Sequence, residues 1–496
     1  MNRALRRISL ASLLLFVLLL LNANYVQAFE ANSMSSDPGN GRTFSEQFQY
    51  QRGAIITEDN KVIADSRAVK GIYKYQRYYP AGPEYAPVTG FDSIYSETGI
   101  ELAEDRQLSG SDPALAVHNL IDLITGKPKK GATVQLTINS VAQNAAYSAL
   151  KAMGREAGVV ALNPQSGAVL ALASYPTFDP NQLATFDGTQ LNKVDKALIA
   201  DPRHPLIDNA LNTTFPPGST FKVVTGSTAL STGKVADANT PVSAPTKLTL
   251  PDTTNQLIND SGAACNNGSN PSGNGKVPLI YAFTVSCNTV FGALGEQLGG
   301  AALRDQANKF GMNDPNLTIP LPVAPSNYPP VSAPSLTAYS AIGQYSDTVT
   351  PLQEAMFSAA VANNGTLMKP YLVQKITAPD LTPIFAATAN TFSTALTPAA
   401  ASQVKQMMIS VVQSPVGTAH ATAFLPNIEI AGKTGTAQNG VNNSGLDDAV
   451  FTCFAPANNP QIAVGVVVKG GGFGADAAAP IAVKIIEAYL ASLAKQ

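Results

Sequence analysis

The stretch Phe215–Gly226, FPPGSTFKVVTG, sets a hydroxyl and an amine three residues apart where two prolines and a glycine give way to an apolar run. Pro216, Pro217 and Gly218 oppose continuation of any earlier helix, and the apolar run propagates a new one, so Ser219 is predicted at a helix N-terminus. Residues three apart share a helix face, which lets the Ser219 hydroxyl and the Lys222 amine meet. A serine is a poor nucleophile until a base takes its proton, and a lysine stripped of water can be that base. The helix N-terminus adds backbone N–H groups and a positive dipole end beside the oxyanion formed on attack. The chemistry this suits is acyl transfer.

The spacing alone is weak, because Ser-x-x-Lys recurs at Ser231–Lys234 and Ser492–Lys495, where a solvated helix face or terminus explains it. Two further elements strengthen it. Ser286-Cys287-Asn288 precedes the apolar TVFGAL, and Lys433-Thr434-Gly435-Thr436 ends the alternating run IEIAG. A second Ser-x-Asn, Ser272-Gly273-Asn274, sits in a polar, glycine-rich stretch, whereas Lys-Thr-Gly occurs once. Singly, these read as a helix cap, a turn residue and a polar strand end. Jointly and in this order they are the signature of serine acyl-transferases that react with penicillin.

The elements that must position these residues are legible in outline. A chain of 496 residues is predicted to form two folded units plus extras. Arg3, Arg6 and Arg7 precede the apolar run Ile8–Leu21, so the N-terminus stays in the cytosol and the remainder is exported. Continued to Phe29 the run is 22 residues, enough to cross a membrane, while Val26-Gln27-Ala28 would serve as a cleavage site. Glu30–Arg42 reads as a linker, and Phe44–Asp122 as a module of short strands, among them GAIITEDNKVIADS around an Asp-Asn turn. Thr133–Met153 is a strand and then a helix capped by Asn139 or Ser140. From Gly158 two apolar runs joined by Pro-Gln-Ser-Gly form a hairpin, mirrored near the other end by VFTCFAP, QIAVGVVVKG and a final helix. Strands from both ends around a helix-rich middle predict one α+β layered domain, with surface loops at Ala238–Lys276 and Asp314–Pro334.

Composition narrows the function. A net charge of -2 with 13% charged residues offers no basic surface for nucleic acid. His118, His204 and His420 form neither a triad with a Gly-x-Ser-x-Gly elbow nor a zinc pattern, and no glycine-rich phosphate loop occurs. No metal or cofactor is implied. Of Cys265, Cys287 and Cys453, the first two are spaced to bridge or to remain separate.

With QRGAIIT, YAPVTGF, ALASYPTFDPN, FPPGSTFK, SCNT, TPLQEAMFSAAVANNGTLMKPYLV and AGKTGTAQ, the chain resembles the class B penicillin-binding proteins, D,D-transpeptidases of peptidoglycan. The likeness runs from anchor to C-terminus and is greatest to their actinobacterial branch. It implies a penicillin-binding transpeptidase domain over 155–496, an antiparallel sheet with helices on both faces plus a helical subdomain. It implies a β-rich, non-catalytic pedestal or dimerisation-like module over 30–154. It also implies a cytoplasmic tip and single plasma-membrane helix over 1–29, with the catalytic domain outside the cell. The implied reaction cross-links stem peptides through a Ser219 acyl-enzyme, and β-lactams acylate the same serine. By the same resemblance, Lys222 accepts the proton of Ser219. Ser286 relays it, while Asn288 holds the substrate amide and positions Lys222. Lys433 keeps Lys222 less protonated, and Thr434 and Thr436 bind the substrate carboxylate. Gly435 lets the donor peptide lie along the strand, and the N–H groups of Ser219 and Thr436 form the oxyanion hole. A membrane-embedded SEDS-family glycosyltransferase is the implied partner of the first module.

The chain departs from the family at Val450, where Trp is frequent, at Cys453, where a small residue is usual, and at Tyr345, where Gly is typical. These positions are expected at the cleft rim or in sheet packing. Competing readings are a hydrolase on the same scaffold and a non-catalytic β-lactam sensor. The long anchored first module speaks against a small secreted β-lactamase.

Overall fold

The structure, a computed structural model, describes residues 2–30, 47–115, 128–260, 265, 275–438 and 445–494. His118, Ser272–Asn274, Lys495 and all but Glu30 of the expected linker lie outside them. Helix Asn2–Tyr25, continued by a π turn to Glu30, carries the one segment among the described residues long and apolar enough to cross a membrane, Arg6–Glu30.

The N-terminal module is built on a six-stranded sheet. Ile55–Ile56, Val62–Ala68, Tyr75–Tyr78 and Thr133–Leu136 are joined by Val373–Thr377 and Pro383–Ala386, so two strands come from far along the chain. The expected Asp-Asn turn is present, with Asn60 at φ 63°. The strand-rich expectation fails beyond Tyr78, where 82–108 folds into short helical turns. Pro83 and Pro87 explain part of this, since proline fits the first turn of a helix and cannot donate to a ladder.

The second sheet has five strands, all antiparallel. Its order is Ala431–Ala437, Asp448–Ala455, Ile462–Val468, Ala157–Leu162 and Val169–Tyr175. The two ends of the domain thus meet in one sheet, as the apolar runs predict. Those runs are apolar throughout because the three central strands are buried along their whole length. Helix Pro351–Ala362, every residue of which is buried, covers one face. Helices Ser140–Met153 and Ala479–Leu493 pack together on the other. The side chain of Asn139 caps the former by accepting from the backbone N–H groups of Val141 and Ala142.

Candidate active site

Ser219 does not cap the α-helix. It lies in a 3₁₀ turn, Gly218–Phe221, which runs directly into helix Lys222–Ser231. The tighter turn follows from Pro217 at its head and Gly218 at φ +54°, a conformation glycine adopts without strain. A Cβ on Gly218 would fall 2.7 Å from the Thr436 carbonyl oxygen, so only glycine lets the turn abut the Lys-Thr-Gly strand. Residues 222–229 of the helix are buried on every side, which fixes Lys222 inside the domain.

The structure brings all three sequence elements together. Lys222 Nζ is 2.9 Å from Ser219 Oγ, 2.6 Å from Asn288 Oδ1, 2.8 Å from Ser286 O and 3.1 Å from Ser286 Oγ. Lys433 Nζ approaches Ser286 Oγ from another side at 2.9 Å and donates to Thr434 O. Ser286 sits between two helices at φ 58°, a left-handed backbone that turns its hydroxyl and carbonyl toward the amines. Lys222 and Lys433 are fully buried. Burial pulls the Lys222 amine down to about 7, with Asp260 acting in the opposite direction. Burial and then the charge of Lys222 push Lys433 well below the lysine range. Two ammonium groups around one serine hydroxyl repel each other, so near neutral pH the pair favours holding at most one proton.

Counting hydrogens locates the free lone pair. A neutral amine has two N–H donors and one lone pair, and Ser286 O and Asn288 Oδ1 can only accept. Both donors are thereby used, and the lone pair of Lys222 faces the serine hydroxyls. Asn288 keeps its oxygen on Lys222 because its Nδ2 donates to Asp260 Oδ1 at 2.9 Å.

Ala431–Ala437 is an edge strand, free on one side to take an extended peptide. The structure gives Gly435 a further reason. A Cβ there would meet the Pro217 carbonyl at 2.6 Å, so its missing side chain also admits the nucleophile's turn. The Thr434 hydroxyl pairs with that of Thr418 at 2.7 Å, and Gly474 N–H reaches Thr436 Oγ1 at 3.5 Å. Ser219, Ser286, Thr434 and Thr436 line one cleft of about 630 Å³ together with Asp260 and Tyr281. Two other hollows, about 450 and 580 Å³, contain none of the predicted residues.

Sequence reasoning missed Asp260, Thr418 and Gln344, whose Nε2 donates to Thr436 O at 3.4 Å. All three come from turns or irregular stretches with no periodicity to mark them. Cys265 and Cys287 are joined, tying the Asn259–Asp260 segment to the residue after Ser286, while Cys453 is a free, buried thiol.

A family model of the penicillin binding protein transpeptidase domain matches residues 157–487, and one of the penicillin binding protein A dimerisation domain matches residues 52–134. The chain belongs to the penicillin-binding protein transpeptidase family. This class B transpeptidase is 39% identical to the peptidoglycan D,D-transpeptidase PbpA of Mycolicibacterium smegmatis, over 99% of both chains. The PbpA of Mycobacterium tuberculosis matches with the same identity and coverage. The solved structure of M. tuberculosis penicillin-binding protein A as an imipenem acyl-enzyme complex superposes with a TM-score of 0.84 at 38% identity, covering 90% of this chain and 99% of that one. Its penicillin G acyl-enzyme complex gives 0.83 at 37%, covering 89% and 100%.

The three positions expected to depart from the family fall in two places. Val450 and Cys453 are buried in the strand paired to Lys-Thr-Gly, opposite Gly435 and Gly432. Tyr345 is 54% exposed at φ +89° on the loop beside Gln344. Such a backbone favours glycine, since an L side chain is strained there.

Proposed function

We propose that this peptidoglycan D,D-transpeptidase works through a Ser219 acyl-enzyme. The single observation that carries this reading is the 2.9 Å approach of Ser219 Oγ to a buried lysine whose donors are held by two carbonyl oxygens. Lys222 takes the Ser219 proton as Oγ bonds to the carbonyl carbon of the donor peptide's penultimate D-alanine. The C–N bond to the terminal D-alanine breaks, and the leaving amine takes a proton through Ser286. An acceptor amine of a second stem peptide then attacks the ester, forming the cross-link and returning the proton to Ser219. Asn288 holds the donor amide and Lys222 together. Lys433 holds the Ser286 hydroxyl, and its repulsion with Lys222 disfavours a second proton on the pair. Thr434 and Thr436 bind the donor carboxylate, Gly435 admits the peptide backbone, and the N–H groups of Ser219 and Thr436 face the oxyanion. β-Lactams acylate the same serine, in line with the acyl-enzyme structures of the mycobacterial relatives.

Residues 1–29 serve as cytoplasmic tip and membrane anchor, 30–154 as pedestal and 155–496 as transpeptidase domain outside the plasma membrane. The apolar helix and the two family matches support that division. The pedestal docks a SEDS-family glycosyltransferase. Loss of membrane co-purification with that polymerase after deletion of Phe44–Asp122 is the expected result, and intact co-purification removes the assignment.

The deciding experiment is intact-protein mass after penicillin treatment of the native chain and Ser219→Ala. One stable adduct, absent from the variant, is expected. A folded native sample without adduct overturns the mechanism.

A further inference from the structure

One titratable side chain beneath the nucleophile has no part in the mechanism above. Glu354 lies in helix Pro351–Ala362, fully buried, and its Oε1 is 2.7 Å from Thr220 Oγ1. Thr220 follows Ser219 and is also fully buried. Its hydroxyl is in addition 2.8 Å from the Pro217 carbonyl at the head of the nucleophile's turn. A threonine hydroxyl has one hydrogen, and Pro217 O can only accept. Without one hydrogen being shared between two acceptors, both contacts are hydrogen bonds when Thr220 donates to Pro217 O and Glu354 donates to Thr220, which needs a proton on Glu354.

The surroundings favour that proton. Glu354 Oε2 has no hydrogen-bond partner, and an ionised carboxylate with a bare buried oxygen is costly. The neighbouring elements offer it no counter-charge. Strand Asp448–Ala455 presents Thr452, whose hydroxyl donates to the Glu354 backbone carbonyl, and the next residue, Cys453, points to the opposite face. Strands Ile462–Val468 and Ala157–Leu162 carry no charged residue. Lys222 and Lys433 spend their contacts on Ser219, Ser286, Asn288 and Thr434. Lys405, the charged residue of helix Pro398–Gln413, is only partly buried and forms no ion pair with Glu354. Burial raises the Glu354 carboxyl to about 8, the Thr220 hydrogen bond acting in the opposite direction.

We propose that Glu354 is held as a neutral carboxylic acid and is a positioning residue for the nucleophile: it donates to Thr220, directs the Thr220 hydrogen onto Pro217 O, and keeps the floor beneath Ser219 uncharged. The inference rests on the assignment of Ser219 as nucleophile and deepens it. Loss of the proton reverses the relay. Thr220 then donates to the carboxylate, Pro217 O loses that bond, and a negative charge one residue from Ser219 opposes the developing oxyanion.

Two readouts on the full-length chain test this separately. Difference infrared spectra of native protein against Glu354→Gln at neutral pH report the protonation state without any catalysis, and a protonated-carboxyl band confined to the native chain is expected. The second readout is the second-order rate of acylation by penicillin across alkaline pH, for native protein, Glu354→Gln and Thr220→Val. The native rate falls about tenfold per pH unit above its alkaline midpoint, and Glu354→Gln, which donates at any pH, removes that limb. Thr220→Val, lacking the hydroxyl that favours the carboxylate, moves the midpoint to higher pH. A merely structural glutamate would change the melting temperature and leave the pH profile in place. An unchanged alkaline limb in Glu354→Gln, an unmoved midpoint in Thr220→Val, or no carboxylic-acid band overturns the proposal. Should the native chain take no adduct at all, the Ser219 assignment fails, and the infrared band alone decides the state of Glu354.

Discussion

Glu101 in the N-terminal module and the buried lysines and Glu354 of the catalytic domain carry charge in opposite ways. In the N-terminal module Glu101 is fully buried between Arg52 Nε at 2.7 Å and Arg77 Nε at 2.6 Å, and Arg52 also reaches Asp105 at 2.6 Å. Burial would raise that carboxyl, but Arg77 and Arg52 outweigh it and hold it below its usual range. In the catalytic domain Lys222, Lys433 and Glu354 are just as deeply buried and make no ion pair among the described residues. Burial wins there, and each tends to lose its charge. A paired buried ion is a fixed strut. An unpaired one remains a group whose protonation can change near physiological pH, as proton transfer requires.

The largest effects should separate the two. Lys222→Ala is expected to slow penicillin acylation by about 10²–10⁴-fold, the usual scale for a lost general base, without lowering the melting temperature. Adduct formation by mass and a thermal melt read the two quantities independently. Glu101→Ala should do the reverse. Leaving the buried Arg77 guanidinium without a carboxylate, while Arg52 keeps Asp105, costs about 3–5 kcal/mol in denaturant unfolding and leaves the acylation rate of the folded fraction unchanged. A Glu101→Ala protein as stable as the native chain would reduce the cluster to a solvated surface network.

Glu101 and Glu354 should also differ in the sign of their pH dependence. Glu101 has a depressed folded pKa, so its stabilising contribution is present above the unfolded carboxyl pKa and is lost as pH falls through the folded one. Glu354 is raised from 4.5 to about 8, so its contribution is full below 4.5 and is lost as pH rises toward 8. Glu354→Gln removes that alkaline loss, on the order of 1–3 kcal/mol once the buried amide's own cost is subtracted. Hydrogen exchange of segments 62–78 and 351–362 across pH would check it. Alkaline weakening of 351–362 in the native chain that is absent from Glu354→Gln is the expected pattern.

Much of this was legible before any coordinates, for a physical reason. Ser219 and Lys222 are one turn apart, and Lys433–Thr436 lie on one strand, so their relations are local and spacing encodes them. Their convergence with Ser286 is not local, and only the family's order of motifs announced it. The sheet built from both ends of the domain could be read because its strands are continuously apolar. The two strands donated by 373–386 to the first module could not, since nothing in a short strand names its partner. Helical turns at 82–108 were hidden by tyrosines and prolines that suit extended chain equally well. Glu354 did leave a mark: a lone carboxylate in the otherwise uncharged stretch TPLQEAMFSAAVA. Charges are rarely buried without a partner, so such an intrusion invites a question that composition alone leaves open.

Asp260 gives the smallest and most discriminating test, because it stands between the two modes of burial. It is solvent-exposed, touches the site through Asn288 Nδ2, and raises the proton affinity of Lys222 without contacting it. Asp260→Asn removes that field, so Lys222 becomes neutral at lower pH and the acid limb of the acylation profile moves down. An exposed charge acts through water, so the displacement should stay below about one pH unit and shrink in high salt. The substituted side chain can also turn its NH₂ toward Asn288, and a reoriented Asn288 would lower the plateau rate severalfold while leaving the acid limb in place. The two components therefore separate: a salt-sensitive midpoint reports electrostatics, and a salt-insensitive plateau reports the hold on Asn288. A midpoint that does not move at low salt would mean that burial alone sets how far the proton affinity of Lys222 is lowered.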